Sequence, residues 1–101
     1  MYRLAYIGNE LTARAFALAG AHTLTPPVEA TAVWEALGTA RGQADLVVLN
    51  RAHAEIVRAR LEALLLADPL PPVVSLPDFA GELPPVRDAT TQARRLLGVS
   101  L

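Results

Sequence analysis

Residues 1–24 read MYRLAYIGNELTARAFALAGAHTL, and the parsing of this stretch decides the fold. Arg3-Leu4-Ala5-Tyr6-Ile7 is a short apolar run stopped by Gly8, the pattern of a strand buried on both faces. Asn9 then stands where a helix N-cap belongs. Glu10 lies in the first turn, where the partial positive charge of the helix N-terminus favours a carboxylate. Leu11, Ala15, Leu18 and Ala19 fall on one helical stripe with Phe16 at its flank. Glu10 and Arg14 stand four apart in the favoured order on the solvent side, and Gly20 supplies the stop. His22-Thr23-Leu24 is a second short strand. Strand, glycine corner, helix and strand make one unit of a parallel α/β fold, and such a corner is also where these folds hold phosphates or place catalytic acids.

The unit repeats along the chain. After Pro26-Pro27, residues 28–41 read as a helix with Ala32, Val33, Ala36 and Leu37 inward, Trp34 off that stripe, and Gly42 at the stop. Asp45-Leu46-Val47-Val48-Leu49 is the clearest strand. Ala52, Ile56, Ala59 and Ala63 then mark one amphipathic helix to about residue 67, with Arg51, Glu55, Arg58 and Glu62 on its outer face. Asp68-Pro69-Leu70-Pro71-Pro72 breaks that helix, and Val73-Val74-Ser75-Leu76 is a fourth strand ended by Pro77. The sequence therefore predicts an α/β fold: a single four-stranded parallel sheet in the order 2-1-3-4, with helices on both faces. It is similar to a receiver or flavodoxin fold that stops one strand early. The compact domain spans 1–77, residues 78–86 form a linker loop, and residues 87–101 form a C-terminal helix and tail closed by Gly98.

Composition narrows the function classes. One domain fits in 101 residues, and half of them are apolar, so the chain supports a core without metal or disulfide help. The net charge of −1 argues against a nucleic-acid binder that works by neutralising phosphates. All nine basic residues are arginine, which removes lysine-dependent chemistry. With no cysteine, disulfides, thiolate metal sites and cysteine nucleophiles are excluded. The start lacks a charged segment followed by a long apolar one, and the longest apolar run, residues 61–67, carries Glu62. The expectation is a soluble cytoplasmic chain.

The strand tips are poor in chemistry. Ligands of doubly wound sheets sit outside the C-terminal strand ends near the switch between strands 1 and 3, which places Gly8, Asn9, Glu10, Asn50 and Arg51 there. A working receiver needs an acidic pair after strand 1, an Asp ending strand 3 and a downstream Lys. Here strand 3 ends in Asn50, Asp45 lies at its other end, and lysine is absent. Dinucleotide binding needs G-x-G-x-x-G, whereas this corner has one glycine followed by Asn9 and a Glu10 that repels phosphate. His22 and His53 share no ligand spacing, and both read as structural, His53 facing solvent in the first turn of its helix. No nucleophile elbow appears. The sequence thus predicts no catalytic, cofactor-binding or metal residues, and Gly8-Asn9-Glu10 reads as a helix cap.

The same stretch resembles the signature of the F-subunit family of V/A-type (vacuolar/archaeal-type) rotary ATPases, an apolar strand followed by Gly-Asp-Glu, a Thr or Ser, and an ending like GFxLAG. The matching residues are Ile7, Gly8, Glu10, Thr12, Phe16, Leu18, Ala19 and Gly20, with Asn9 for the usual acid and Ala15 for the usual Gly. Both departures are tolerable, since Asn caps as well as Asp and Ala strengthens a helix over Gly. ADLVVLN stands where the family has its third strand, although the usual Thr-Glu after it is Asn50-Arg51. LPPVVSLPD resembles the family's proline-flanked fourth strand, and ARRLLGVSL its closing segment. The resemblance runs along nearly the whole chain in the same order. It implies a non-catalytic component of the central rotor stalk, paired with the coiled-coil D subunit inside the ring of catalytic A and B subunits. Such a component couples or modulates ATP hydrolysis or synthesis with ion transport. It binds no nucleic acid and is held at the cytoplasmic face of the membrane only through the complex.

Residues near the C-terminus suit that work. Phe79-Ala80-Gly81, between Pro77 and Pro84-Pro85, reads as a tether with a pliant centre. Beyond it Ala89, Ala93, Leu96 and Leu97 make one apolar stripe flanked by Arg94 and Arg95. This stripe either anchors the chain on a partner or covers the sheet of its own domain. The candidate partner-binding residues are Phe79, Arg94, Arg95, Leu96 and Leu97, with Trp34 a secondary candidate. Two other readings stay open: a degenerate receiver-like interaction module without phosphotransfer, and a small ligand-binding or enzymatic flavodoxin-like domain.

Overall fold

The computed structural model describes residues 1–76. In chain order the elements are β1 (Tyr2–Ile7), α1 (Glu10–Leu18), β2 (His22–Leu24), α2 (Ala30–Arg41), β3 (Ala44–Asn50), α3 (Arg51–Ile56), α4 (Arg58–Ala67) and β4 (Val73–Leu76). The four strands form one sheet, all parallel, in the order β2-β1-β3-β4. Tyr6 lies between Thr23 and Val48, and Val48 pairs in turn with Val74. The expected architecture is the one observed. The linker expected at 78–86 and the helix expected over 87–101 lie outside the described residues.

Alternate residues of each strand serve opposite faces. Leu4, Tyr6 and Val48 pack with Ala13 and Phe16 of α1, and the Tyr6 and Phe16 rings stack at 4.5 Å between centroids. Ala5, Ile7, Val47 and Leu49 form the other layer with Val33, Leu37 and Ala40 of α2 and with Val57. Leu61 and Leu64 of α4 pack against that second layer too. Among the described residues, α1 therefore covers one face alone, while α2, α3 and α4 share the other.

α1 has the expected period but a shifted phase. In α1 the buried residues are Thr12, Ala13, Ala15 and Phe16, whereas Leu11 and Leu18, expected to face inward, are 52% and 72% exposed. Phe16 decides this, because stacking on Tyr6 buries the larger ring and rolls the leucines outward. In α2 the inward face is the expected one, with Val33 and Leu37 buried, Ala36 packed beside them and Ala40 added, although the helix starts at Ala30 and leaves Val28 exposed.

The single helix expected after β3 is two. Its chain breaks at Val57, whose N–H bonds the Ala54 carbonyl at 3.2 Å before Leu61 N–H takes up the Val57 carbonyl at 2.8 Å. The inward stripe is His53, Val57, Leu61 and Leu64, so Ile56, Ala59 and Ala63 face out. The outer charges behave as expected, with Arg58 placed 3.7 Å from Glu55 and 3.4 Å from Glu62.

Candidate functional site

The C-terminal tips of β1 and β3 meet at the sheet's switch point, and the groups there are spent on local structure. Asn9 Oδ1 accepts the Thr12 N–H at 2.8 Å, which caps α1. Asn50, itself buried, accepts the Ala52 N–H at 3.2 Å and caps α3. Each cap satisfies a helix donor that would otherwise be orphaned. Gly8 lies between them. A Cβ at this position would collide with the Tyr6 ring and its hydroxyl oxygen and come within 2.8 Å of the Asn50 Cβ. The corner is thus packed with side chain where a phosphate cradle needs open backbone N–H groups.

His53 departs most from expectation. Read as facing solvent, it is 3% exposed, and its Nε2 lies 2.9 Å from the Pro26 carbonyl. A carbonyl only accepts, so Nε2 carries a proton and donates, leaving Nδ1 buried with no partner among the described residues. The bond ties the start of α3 to the loop between β2 and α2. It is a long-range contact, and nothing in the local sequence around residue 53 signals it.

His22 is half-buried and stacks on Tyr2 with 4.6 Å between ring centroids, the structural role expected of it. Trp34 is half-buried against the α2 layer, with the Arg60 guanidinium 4.3 Å from its ring centroid. Arg51 and Glu10 are exposed at the tips. Phe79, Arg94, Arg95, Leu96 and Leu97 lie outside the described residues.

Among the described residues, no serine or threonine hydroxyl is hydrogen-bonded to a histidine or a carboxylate. No group of three His, Asp or Glu among them is spaced to hold a metal ion. No helix among them is long and apolar enough to cross a membrane. A shallow groove of about 290 Å³ runs between α1 and the edge strand β2, lined by Glu10, Ala13, Arg14, Ala17, Thr23 and Thr25. It holds one acidic and one basic side chain among small ones. The chain matches no protein-family model and no curated protein.

Proposed function

We propose that this chain is the non-catalytic F subunit of the central stalk of a V/A-type rotary ATPase, gripping the coiled-coil D subunit and modulating the coupling of ATP turnover to ion transport. The observation that carries the reading is the state of the strand tips. Asn9 and Asn50 cap helices and Gly8 lies under the Tyr6 ring, so the place where this fold does chemistry is given over to structure. A protein so built works through its surface. The collinear resemblance of IGNEL, ADLVVLN, LPPVVSLPD and ARRLLGVSL to that rotor component supports the choice of surface and partner.

The test is co-expression with the coiled-coil D subunit and measurement of binding for the wild type and for a Leu96→Asp/Leu97→Asp double variant. The reading expects a stable pair with the wild type, and binding lost in the variant to a greater degree than melting temperature. Unchanged binding with a lowered melting temperature puts those leucines in the chain's own core. A wild type that ignores the coiled coil and captures another protein returns the chain to the receiver-like interaction module.

A further inference from the structure

Strand β2 is one edge of the sheet and pairs with β1 alone. Gly8 N–H donates to the Leu24 carbonyl at 3.2 Å, so the backbone groups of Leu24 turn inward. Those of Thr23 and Thr25 alternate with them and turn to the open side. Thr25 stays extended because Pro26 follows it, and the His53 bond to the Pro26 carbonyl fixes where the strand must stop. Sheet edges are usually guarded by charge, proline or a bulge. His22-Thr23-Leu24 carries none of these and is limited only by its length and by Pro26-Pro27. The groove above this edge is lined by Thr23 and Thr25 on the strand and by Glu10, Ala13, Arg14 and Ala17 on α1. Its middle therefore lies at Leu24 on the strand and between Ala13 and Arg14 on the helix.

We infer that this edge receives β2 of a second copy of the chain, antiparallel, about a two-fold axis at Leu24. Two four-stranded sheets then become one continuous sheet. Thr23 of each copy stands opposite Thr25 of the other, where each pair exchanges backbone hydrogen bonds and brings two threonines into contact. An axis perpendicular to the sheet keeps both copies of α1 on one face and reverses their direction. Since α1 lies over β1 and β2, and strands are about 4.8 Å apart, the two helix axes come about 10 Å apart, a packing distance for helices. Ala13 and Ala17 on the facing flanks permit that approach. Glu10 and Arg14 are exposed on the same flank, and neither makes an ion pair among the described residues. The reversed copy presents them in the opposite order, which sets each carboxylate within reach of the other copy's guanidinium. One charge of each sign suits a self-complementary partner better than a strongly acidic or basic one. The paired stretch is short, so the dimer is weak and forms with rising concentration. It belongs to the free chain and is independent of the coiled-coil reading.

Light scattering of the full chain without partner reads its mass, which is expected to rise from monomer toward dimer with concentration. Ala17→Arg puts a long charged side chain between the two helices at an exposed site, so the fold is retained. It is expected to weaken the dimer at least about tenfold while the melting temperature of the dilute chain holds. Leu66→Arg, on α4 at the other face and 89% exposed in the wild type, is expected to leave the dimer intact. The chain has no cysteine, so disulfide trapping then reads the register. Opposed residues of a hydrogen-bonded antiparallel pair lie about 5.5 Å apart between Cα atoms, within disulfide reach. Thr23→Cys chains mixed with Thr25→Cys chains are therefore expected to cross-link faster than either variant alone. A chain that stays monomeric at millimolar concentration overturns the proposal. So does a dimer that Ala17→Arg leaves intact, and so do equal cross-linking rates in the mixture and in each variant alone. None of these results bears on the coiled coil, which the co-expression experiment reads separately.

Discussion

Gly8 sits where the β1 tip turns into α1, with the Tyr6 ring and the Asn50 Cβ in the space its own Cβ would take. Its need for glycine comes from those neighbours, whereas Gly20 is required by its own backbone, at φ +88°. Tyr6 is itself pinned by its stack on Phe16, so the ring cannot simply swing away. Gly8→Ala therefore overpacks the corner and costs about 1–3 kcal/mol, seen as a lower midpoint in urea. A midpoint equal to that of the wild type shows that the corner relaxes freely. The adjoining caps at Asn9 and Asn50 are each worth about 1 kcal/mol. Asn9 was legible locally, since a short polar acceptor before an apolar-periodic run has few other uses, whereas Asn50 read only as the end of its strand. His53 was not legible, because its partner is a carbonyl 27 residues away.

Among the elements, the helix ends and the contact of α2 with the turn before β4 matter most. Arg41 closes α2, and its side chain is only 10% exposed. It donates from Nε to the Pro71 carbonyl at 3.2 Å and from an Nη to the Asp68 carbonyl at 2.6 Å, with the Asp68 carboxylate 3.7 Å away. The two carbonyl bonds carry the contact, since the Asp68 side chain is largely solvated and its ion pair is worth little. They fix the proline-rich turn that delivers β4 to the sheet edge. Arg41→Ala is expected to lose about 1–3 kcal/mol and to speed hydrogen exchange at the β4 amides more than at β1. Arg41→Lys recovers only part of this, because an ammonium lacks the planar fork that reaches both carbonyls. Equal exchange at β4 in wild type and Arg41→Ala means that the turn holds its shape without the arginine. In α2 both period and inward face were readable, whereas in α1 and in the helices after β3 the period was readable but the phase was not. Ala13, Ala15, Ala17 and Ala19 make α1 apolar on almost every side, so two stripes compete and only the sheet beneath chooses between them.

The whole molecule is a sheet clothed unequally, with three helices on one face and α1 on the other among the described residues. Leu37, 1% exposed in the better-covered layer, has no freedom to be replaced by water. Leu37→Ala is expected to cost about 2–5 kcal/mol, whereas Leu66→Ala, at an 89% exposed position on α4, stays within about 0.5 kcal/mol. The comparison is made by equilibrium unfolding of both variants. Similar losses at the two positions mean that α4 buries Leu66 and that its outer side is a contact surface.

The sequence by itself determined the number and kind of strands, their parallel order and the cap at Asn9. These are local or periodic properties, carried by unbroken apolar runs, by glycine and proline punctuation, and by side chains that act within one turn of themselves. Only the tertiary structure decided which side of α1 and of the helices after β3 faces inward, that the helix after β3 breaks at Val57, and that His53 and Arg41 bind distant carbonyls. Those outcomes turn on how Phe16 meets Tyr6 and on how far the chain must fold back to bring Pro26 to His53. Such contacts join residues far apart in the chain, and their energies exist only once the layers have closed.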